Sequence, residues 1–208
     1  MSVPVLFSLA SSLFAAPPAT PVVKAAPPPR ASTPGQISSG ARCVPTPGEQ
    51  QLDLRFEGSR LEDLVRDVAR HTCRNLVLSP READARIGVY FGAGVTAERL
   101  WPTFLEILAA HDLTVVDGPS ATVIIASSDG TRSALPTLGA TDETPAEARM
   151  VTKVLRPKTK DLNALGNFLN LYKSGRGQIQ PYTATGVLVI SDYAPVVRRL
   201  ERLIAQLE

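Results

Sequence analysis

The chain has 208 residues, of which 44% are hydrophobic and 20% are charged. These proportions are those of an ordinary globular protein, and the length suits one or two domains. The formal net charge of +2 and the aromatic content of 5% argue against a nucleic-acid partner, because such proteins present a strongly basic face or aromatic side chains for base stacking.

The N-terminal part predicts export followed by an extended linker. Residues 1–16 form an apolar run ending in Ala15-Ala16, similar to the core of a secretory signal, although no Lys or Arg precedes it. The run is shorter than the ~20 residues of a membrane span. Residues 17–48 hold nine of the 18 prolines, and such a stretch cannot bury enough apolar surface to order itself. We therefore expect the folded part to begin near residue 49.

The chain contains two cysteines, Cys43 and Cys73. In an exported protein such an even pair can oxidise to a disulfide. The alternative is two unrelated thiols, with Cys73 packed as a small buried hydrophobic residue. The sequence leaves both interpretations open and favours the disulfide slightly.

Residues 49–126 predict a first domain of order β-α-β-β-α-β-β. The residues from Gln51 to Glu57 alternate between apolar and polar, as in a half-buried strand. Ser59 and Glu62 have the spacing of a capping box, which predicts that the first helix starts directly after this strand. The later elements are a strand at 76–78, a strand at 87–91, a helix capped by Thr96 and containing Pro102, and a hairpin of strands 113–116 and 121–126.

Residues 127–147 are rich in Ser, Thr, Gly, Asp and Pro without periodicity, and we interpret them as an interdomain linker. Residues 148–208 predict a second domain of order β-α-β-β-α. Its elements are a strand at 149–156, a helix capped by Thr159, a strand at 179–184 that Pro181 places at a sheet edge, a strand at 187–190, and a final helix capped by Asp192.

One motif resembles a dinucleotide-binding fingerprint. Gly92-x-Gly94 precedes a predicted helix, and Asp117 lies near the end of the next strand. That fingerprint should open the first βαβ unit, whereas two strands and a helix precede this one. We therefore assign these glycines to turns and packing. A nucleotide-binding enzyme or small hydrolase remains the alternative from a different functional class.

Other candidate motifs also lack the pattern that their chemistry requires. His71 and His111 are the only histidines and do not supply the ligand number of a zinc site. The basic loop at 173–177 lacks the GXXG spacing of RNA-binding KH modules. The sequence therefore predicts no catalytic residues, no cofactor and no metal. It indicates a non-enzymatic protein that binds other proteins through exposed sheet edges.

The two domains resemble the periplasmic N domains of bacterial secretins. The motifs that carry the resemblance are Leu54-Arg-Phe-Glu-Gly58, Asn75-Leu-Val-Leu-Ser-Pro80 and Ile87-Gly-Val-Tyr-Phe91 in the first domain, and Val151-x-x-Val-Leu155 and Thr185-Gly-Val-Leu-Val-Ile-Ser-Asp192 in the second. The resemblance implies an α+β protein of two small domains. The first would have the fold shared with the short N-terminal domain of TonB-dependent receptors, and the second would be KH-like.

The resemblance also implies a periplasmic setting within an envelope-spanning secretion machine, with the type II system as the nearest match. The implied partners are a secretin or an inner-membrane clamp protein, together with stacking into a homo-oligomeric ring. A secretin continues into a pore domain where this sequence ends at Glu208, so we expect an accessory or split component. The alternatives are a TonB-linked signalling adaptor and an accessory protein of a type IV pilus secretin.

Two predicted strands of the first domain are the candidates for partner binding, because either could present its edge to another protein. The candidate residues are Asp53, Arg55 and Glu57 on one strand, and Ile87, Val89 and Phe91 on the other.

Overall fold

The computed structural model describes residues 43–54, 56–91 and 94–208, and of Thr131 the backbone only. The predicted signal-like segment and the predicted linker as far as residue 42 lie outside the described residues, as does Gly92. The described part contains both helices and strands, and the predicted α+β class is confirmed.

The first domain is built around two longer helices and several short strands. Its elements are β1 (Gln51–Leu52), β2 (Phe56–Arg60), α1 (Leu61–Thr72), β3 (Leu76–Leu78), α2 (Pro80–Ala83), β4 (Arg86–Val89), β5 (Val95–Thr96), α3 (Ala97–Ala110), β6 (Leu113–Asp117) and β7 (Thr122–Ala126).

The strands of the first domain form three separate small sheets. β1 pairs with β5, β2 pairs with β4, and the third sheet has the order β3-β7-β6. The predicted hairpin of β6 and β7 is antiparallel, whereas β3 runs parallel to β7. The single strand predicted from Gln51 to Glu57 is wrong, because the chain leaves β1 and continues in a different sheet as β2. Its alternation nevertheless marks burial, since Leu52, Leu54 and Phe56 all lie in the core.

The core of the first domain lies between the sheets and the apolar stripes of α1 and α3. The buried residues of α1 recur at helical spacing, at Leu61, Leu64, Val65 and Val68. The predicted capping box is wrong, because α1 begins at Leu61 with Arg60 as its N-cap and no side-chain cap. Thr96 is the N-cap residue of α3, but its side chain makes no capping hydrogen bond there.

The segment between the two domains contains a 3-10 helix (Ser127–Arg132) and strand β8 (Thr137–Leu138). β8 pairs in parallel with the first strand of the second domain, so part of the predicted linker belongs to that domain's sheet. The other elements of the second domain are β9 (Met150–Leu155), α4 (Leu162–Leu169), β10 (Gln178–Tyr182), a 3-10 helix (Thr183–Thr185), β11 (Val187–Tyr193) and α5 (Ala194–Leu207).

The second domain has one four-stranded sheet of order β10-β11-β9-β8. Its core clusters residues of α4 and α5 with residues of β9, β10 and β11. β10 lies at an edge, so the edge position predicted from Pro181 is confirmed. Both predicted caps are wrong. Asp161, not Thr159, caps α4 by accepting a hydrogen bond from the amide of Ala164 at 2.9 Å, and Asp192 lies within β11.

Candidate interaction surfaces

The sheet of β2 and β4 carries three of the six predicted partner-binding residues, namely Glu57, Ile87 and Val89. Asp53 follows β1, and Phe91 lies beyond the end of β4. Within the described residues, β2 and β4 each have a hydrogen-bonded neighbour on one side only. Glu57 is opposite Gly88 in the register and is exposed. A methyl group on Gly88 would lie 3.7 Å from the ring of Tyr90, so this ring lies beside the bare backbone of β4. An exposed backbone edge next to an aromatic side chain suits the addition of a strand from another protein.

The predicted binding residues differ in their availability. Asp53 and Glu57 are exposed, whereas Arg55 lies outside the described residues. Ile87 is 1% exposed, and Val89 and Phe91 pack partly buried against the core. These three residues can therefore offer a partner mainly their backbone.

Sequence reasoning missed Tyr90, although the signal was present. The alternation that buries Val89 and Phe91 directs the intervening side chain to solvent. Tyr90 is 77% exposed, one of the larger exposures among the apolar and aromatic side chains of the described residues. It is the aromatic residue best placed to anchor a partner at the β4 edge.

The disulfide between Cys43 and Cys73 ties the start of the described chain to the end of α1, with the two Cα atoms 5.7 Å apart. Hydrogen bonds reinforce this attachment. The amide of Thr46 donates to the carbonyl of His71 at 3.0 Å, and the Thr46 hydroxyl lies 2.9 Å from Nδ1 of the same residue. His71 is thus engaged in holding the segment before β1.

The two domains lie in one compact unit. They contact each other through a set of buried hydrogen bonds, which we call the joint. The Tyr193 hydroxyl donates to the carbonyl of Leu113 at 3.1 Å and is hydrogen-bonded to the Ser127 hydroxyl at 2.5 Å. The amide of Met150 donates to the Thr114 hydroxyl at 2.9 Å. Burial of the Tyr193 hydroxyl raises its pKa above the ordinary value of 10.0, despite the opposing hydrogen bond from Ser127.

Two ion pairs cross the same joint. Arg149 contacts Asp117 at 2.7 Å, and Arg176 contacts Asp112 at 2.9 Å. Partial burial alone would raise the pKa of Asp117. Hydrogen bonds from Arg149 and Thr122, and the nearby positive charges, outweigh burial and hold that pKa below its ordinary value.

The basic loop at 173–177, whose sequence lacks the GXXG spacing of RNA-binding KH modules, is folded back against the protein. The fully buried carboxylate of Asp192 accepts a hydrogen bond from the amide of Ser174 at 2.8 Å. A Cβ atom on Gly177 would overlap that carboxylate, so the loop requires glycine at this position. The loop thereby presents Arg176 to Asp112 of the first domain and contributes to the joint.

Gly94, singled out for a nucleotide fingerprint, has a left-handed backbone with φ of +70°. It precedes the two-residue strand β5 and helix α3, which agrees with its assignment to a turn. In the described part of the chain, no group of three or more His, Cys, Asp or Glu side chains is arranged to hold a metal ion. No helix in that part combines the length and hydropathy needed to cross a membrane.

Comparison with known proteins gives consistent relatives, although no protein-family model matches the chain. The chain is 21% identical over 161 residues to the secretin GspD of Vibrio cholerae, a match that covers 76% of this chain and 24% of that protein. It is 22% identical over 161 residues to the secretin ExeD of Aeromonas hydrophila, with the same coverage. The chain therefore spans about a quarter of the length of these curated relatives.

Among solved structures, the described fold is similar to a chain in the type II secretion system outer membrane complex of Klebsiella pneumoniae. That complex contains PulD, PulS and the PulC HR domain. The TM-score is 0.63 at 18% identity, and the match covers 73% of this chain and 26% of the other. In sequence and in fold, this chain resembles the periplasmic N domains of the type II secretins.

Proposed function

We propose that this chain is a periplasmic, non-enzymatic component of a type II secretion machine and works by binding other proteins of that machine. The observation that carries the proposal is the similarity to secretins, which extends in sequence over 76% of the chain and in fold over 73% of it. A match of 161 residues is longer than either domain alone. The disulfide supports a periplasmic setting, because disulfides persist in oxidising compartments.

The first domain would dock a partner through the sheet of β2 and β4. An added strand would gain main-chain hydrogen bonds along the open edge, and Tyr90 would supply an apolar contact beside it. The structurally similar Klebsiella complex contains the PulC HR domain together with PulD. The partner that we propose is therefore either an inner-membrane clamp protein equivalent to PulC or the secretin itself.

The second domain would pack side by side with copies of itself, as a homo-oligomeric ring, or against a secretin. Its sheet ends at β10 on one side and at the two-residue strand β8 on the other. The joint would hold the two domains at a fixed angle, so that a partner bound to the first domain is positioned relative to the ring.

Photo-crosslinking in native envelopes tests the proposal. Replacing Tyr90 by p-benzoylphenylalanine should give a crosslink to a component of the secretion machine. The same replacement at Arg66, an exposed residue of α1, provides the control and should give none. Crosslinks from position 90 solely to proteins outside secretion, or equal products from both positions, would contradict the proposal.

A further inference from the structure

Residues 43–51 cross the surface of the first domain before the chain enters its core, and we call this segment the strap. None of its nine side chains is buried, and Val44 is 81% exposed. Leu52, the next residue, is the first one that belongs to the core cluster. The strap therefore adds no side chain to the apolar core, and other interactions must hold it in place.

One end of the strap supplies the cap of α3. The first amide groups of an α-helix have no partner within the helix, and the side chain of Thr96 does not accept a hydrogen bond from them. Instead, the amide of Ala97 donates to the carbonyl of Gln50 at 3.0 Å, and the amide of Glu98 donates to the carbonyl of Gly48 at 3.1 Å. The strap thus satisfies the two amides that open α3.

The other end of the strap is attached to α1. The disulfide joins Cys43 to Cys73, directly after that helix. The amide and hydroxyl of Thr46 make their contacts with His71, in the last turn of the helix. The strap consequently links the end of α1 to the beginning of α3.

The hydrogen bonds of the strap are too few to hold it without the disulfide. Fixing the backbone of one residue costs about as much free energy as one hydrogen bond contributes, or more. The bonds to His71, Ala97 and Glu98 are fewer than the residues that they order, and no buried apolar surface adds to them. Segments with few buried contacts are those that open locally while the rest of a domain stays folded.

We propose that the strap is a redox-sensitive fastener of the first domain. Reduction of the disulfide between Cys43 and Cys73 releases residues 43–51 and uncovers the first turn of α3. The remainder of the domain stays folded, because its core cluster begins at Leu52 and includes no strap residue. This device does not depend on the proposed secretion role and concerns a different surface from the sheet of β2 and β4.

A dithiol is the reductant that fits the geometry. Cys43 is exposed, so a thiolate of the reductant can attack its sulfur. The bond to Cys73 then breaks, and Cys73 leaves as a thiolate that takes up a proton. The second thiol of the reductant displaces Cys43 from the mixed disulfide, which leaves two thiols in the protein and a disulfide in the reductant.

Amide hydrogen exchange of the whole protein, followed by NMR before and after addition of dithiothreitol, tests the inference. Exchange at Ala97 and Glu98 should accelerate about tenfold or more on reduction, because the strap no longer accepts their hydrogen bonds. This fast exchange should not depend on low concentrations of urea, as expected for a local opening. The amides of Leu105 and Leu108, in the buried part of α3, should stay protected.

Matched variants assign the effect to the disulfide. Cys43→Ser with Cys73→Ser should show the fast exchange at Ala97 and Glu98 without reductant and should not respond to dithiothreitol. Val44→Ser changes an exposed side chain of the strap and leaves the disulfide intact. It should exchange like the original protein in the oxidised state and respond equally to reduction.

Two outcomes would overturn the inference. Unchanged exchange at Ala97 and Glu98 after complete reduction would mean that the hydrogen bonds hold the strap alone. Loss of protection at Leu105 and Leu108 to the same extent as at Ala97 would mean that reduction unfolds the whole domain. Neither outcome bears on the crosslinks from position 90, so the two proposals can fail separately.

Discussion

The two domains are built from sheets of different continuity. The first divides its strands among sheets of two, two and three strands, whereas the second has a single sheet of four. Sheets of two short strands are only marginally stable alone. The first domain must therefore depend on the packing of α1 and α3 and on its disulfide, whereas the hydrogen-bonded ladder of the second extends without interruption.

The disulfide bond is attached to the domain whose strands are divided among three sheets. Cys43 lies in the segment before β1 and Cys73 at the end of α1 of the first domain, whereas the second domain contains no cysteine. The lesson is that two domains of similar size can reach stability by different routes. Variants that weaken each route separately, and then the joint, show how far the domains are independent.

Removal of the disulfide should have the largest effect. Its cysteines are 30 positions apart, and closing a loop of that length stabilises a fold by about 3–4 kcal/mol in the chain-entropy model. Cys43→Ser with Cys73→Ser should lower the free energy of unfolding by about that amount. Urea denaturation followed by fluorescence of Trp101, the only tryptophan, reports on the first domain directly.

Mass spectrometry of the unmodified protein provides the control for this variant. The oxidised form should be two hydrogens lighter than the reduced form. Free thiols in protein isolated from the periplasm, or a double variant as stable as the original, would contradict the stabilising role of the bond.

The loop at 173–177 tests the second domain in the same way. Gly177→Ala should cost about 1–3 kcal/mol, because the added methyl group overlaps the carboxylate of Asp192. That carboxylate is fully buried and accepts hydrogen bonds from the amides of Ser174 and Tyr193, which its displacement would disturb. Gly175→Ala is the matched control, since its methyl group would meet no atom within 4 Å. Hydrogen exchange along β11 should accelerate in the first variant and stay unchanged in the second.

The sequence predicted features that depend on neighbouring residues better than features that depend on contacts between distant residues. Helical spacing located α5, alternation located the buried face of β1 and β2, and Pro181 located an edge strand. The split between β1 and β2 was missed because sheet membership depends on β5 and β4, which follow much later in the chain. The predicted cap at Asp192 is wrong because an aspartate before a helix shows the same local pattern in two cases. It can cap that helix or, as in this protein, accept a hydrogen bond from the amide of Ser174 in a distant loop.

The joint was missed for a related reason. The partners of the Tyr193 hydroxyl are 66 and 80 positions away, and each is an ordinary hydroxyl or backbone carbonyl. A pattern based on neighbouring residues contains no signal for such contacts. The open edge beside Tyr90 was partly predictable, since alternation identified the strand but not the exposed aromatic side chain that follows β4.

The joint should respond to the loss of one hydroxyl group. Tyr193→Phe leaves the carbonyl of Leu113 and the hydroxyl of Ser127 without this buried partner, which should cost about 1–2 kcal/mol. Tyr182→Phe is the control, because that side chain is 58% exposed on the edge strand β10. Trp101 fluorescence reports unfolding of the first domain, and hydrogen exchange along β11 reports unfolding of the second. If the urea midpoints measured by both signals fall in the Tyr193 variant, the domains unfold together. Equal stability of the two variants would show that the hydroxyl does not couple them.

The smallest expected effect is the acid dependence of the ion pair between Asp117 and Arg149. Because the pKa of Asp117 is lower in the folded protein than its ordinary value of 3.8, the carboxylate stabilises the fold above that value, and this contribution disappears as the pH falls through the lowered pKa. The side chain of Asp117 is 47% exposed, so solvent screening limits the effect to about 1 kcal/mol or less. Asp117→Asn should therefore lower stability slightly at pH 7 and reduce the loss of stability that occurs as the pH falls below the ordinary pKa of 3.8. The control Glu106→Gln removes an exposed carboxylate on α3 and should leave that loss unchanged. Identical dependence of stability on pH in Asp117→Asn and the original protein would show that Asp117 does not stabilise the contact between the domains.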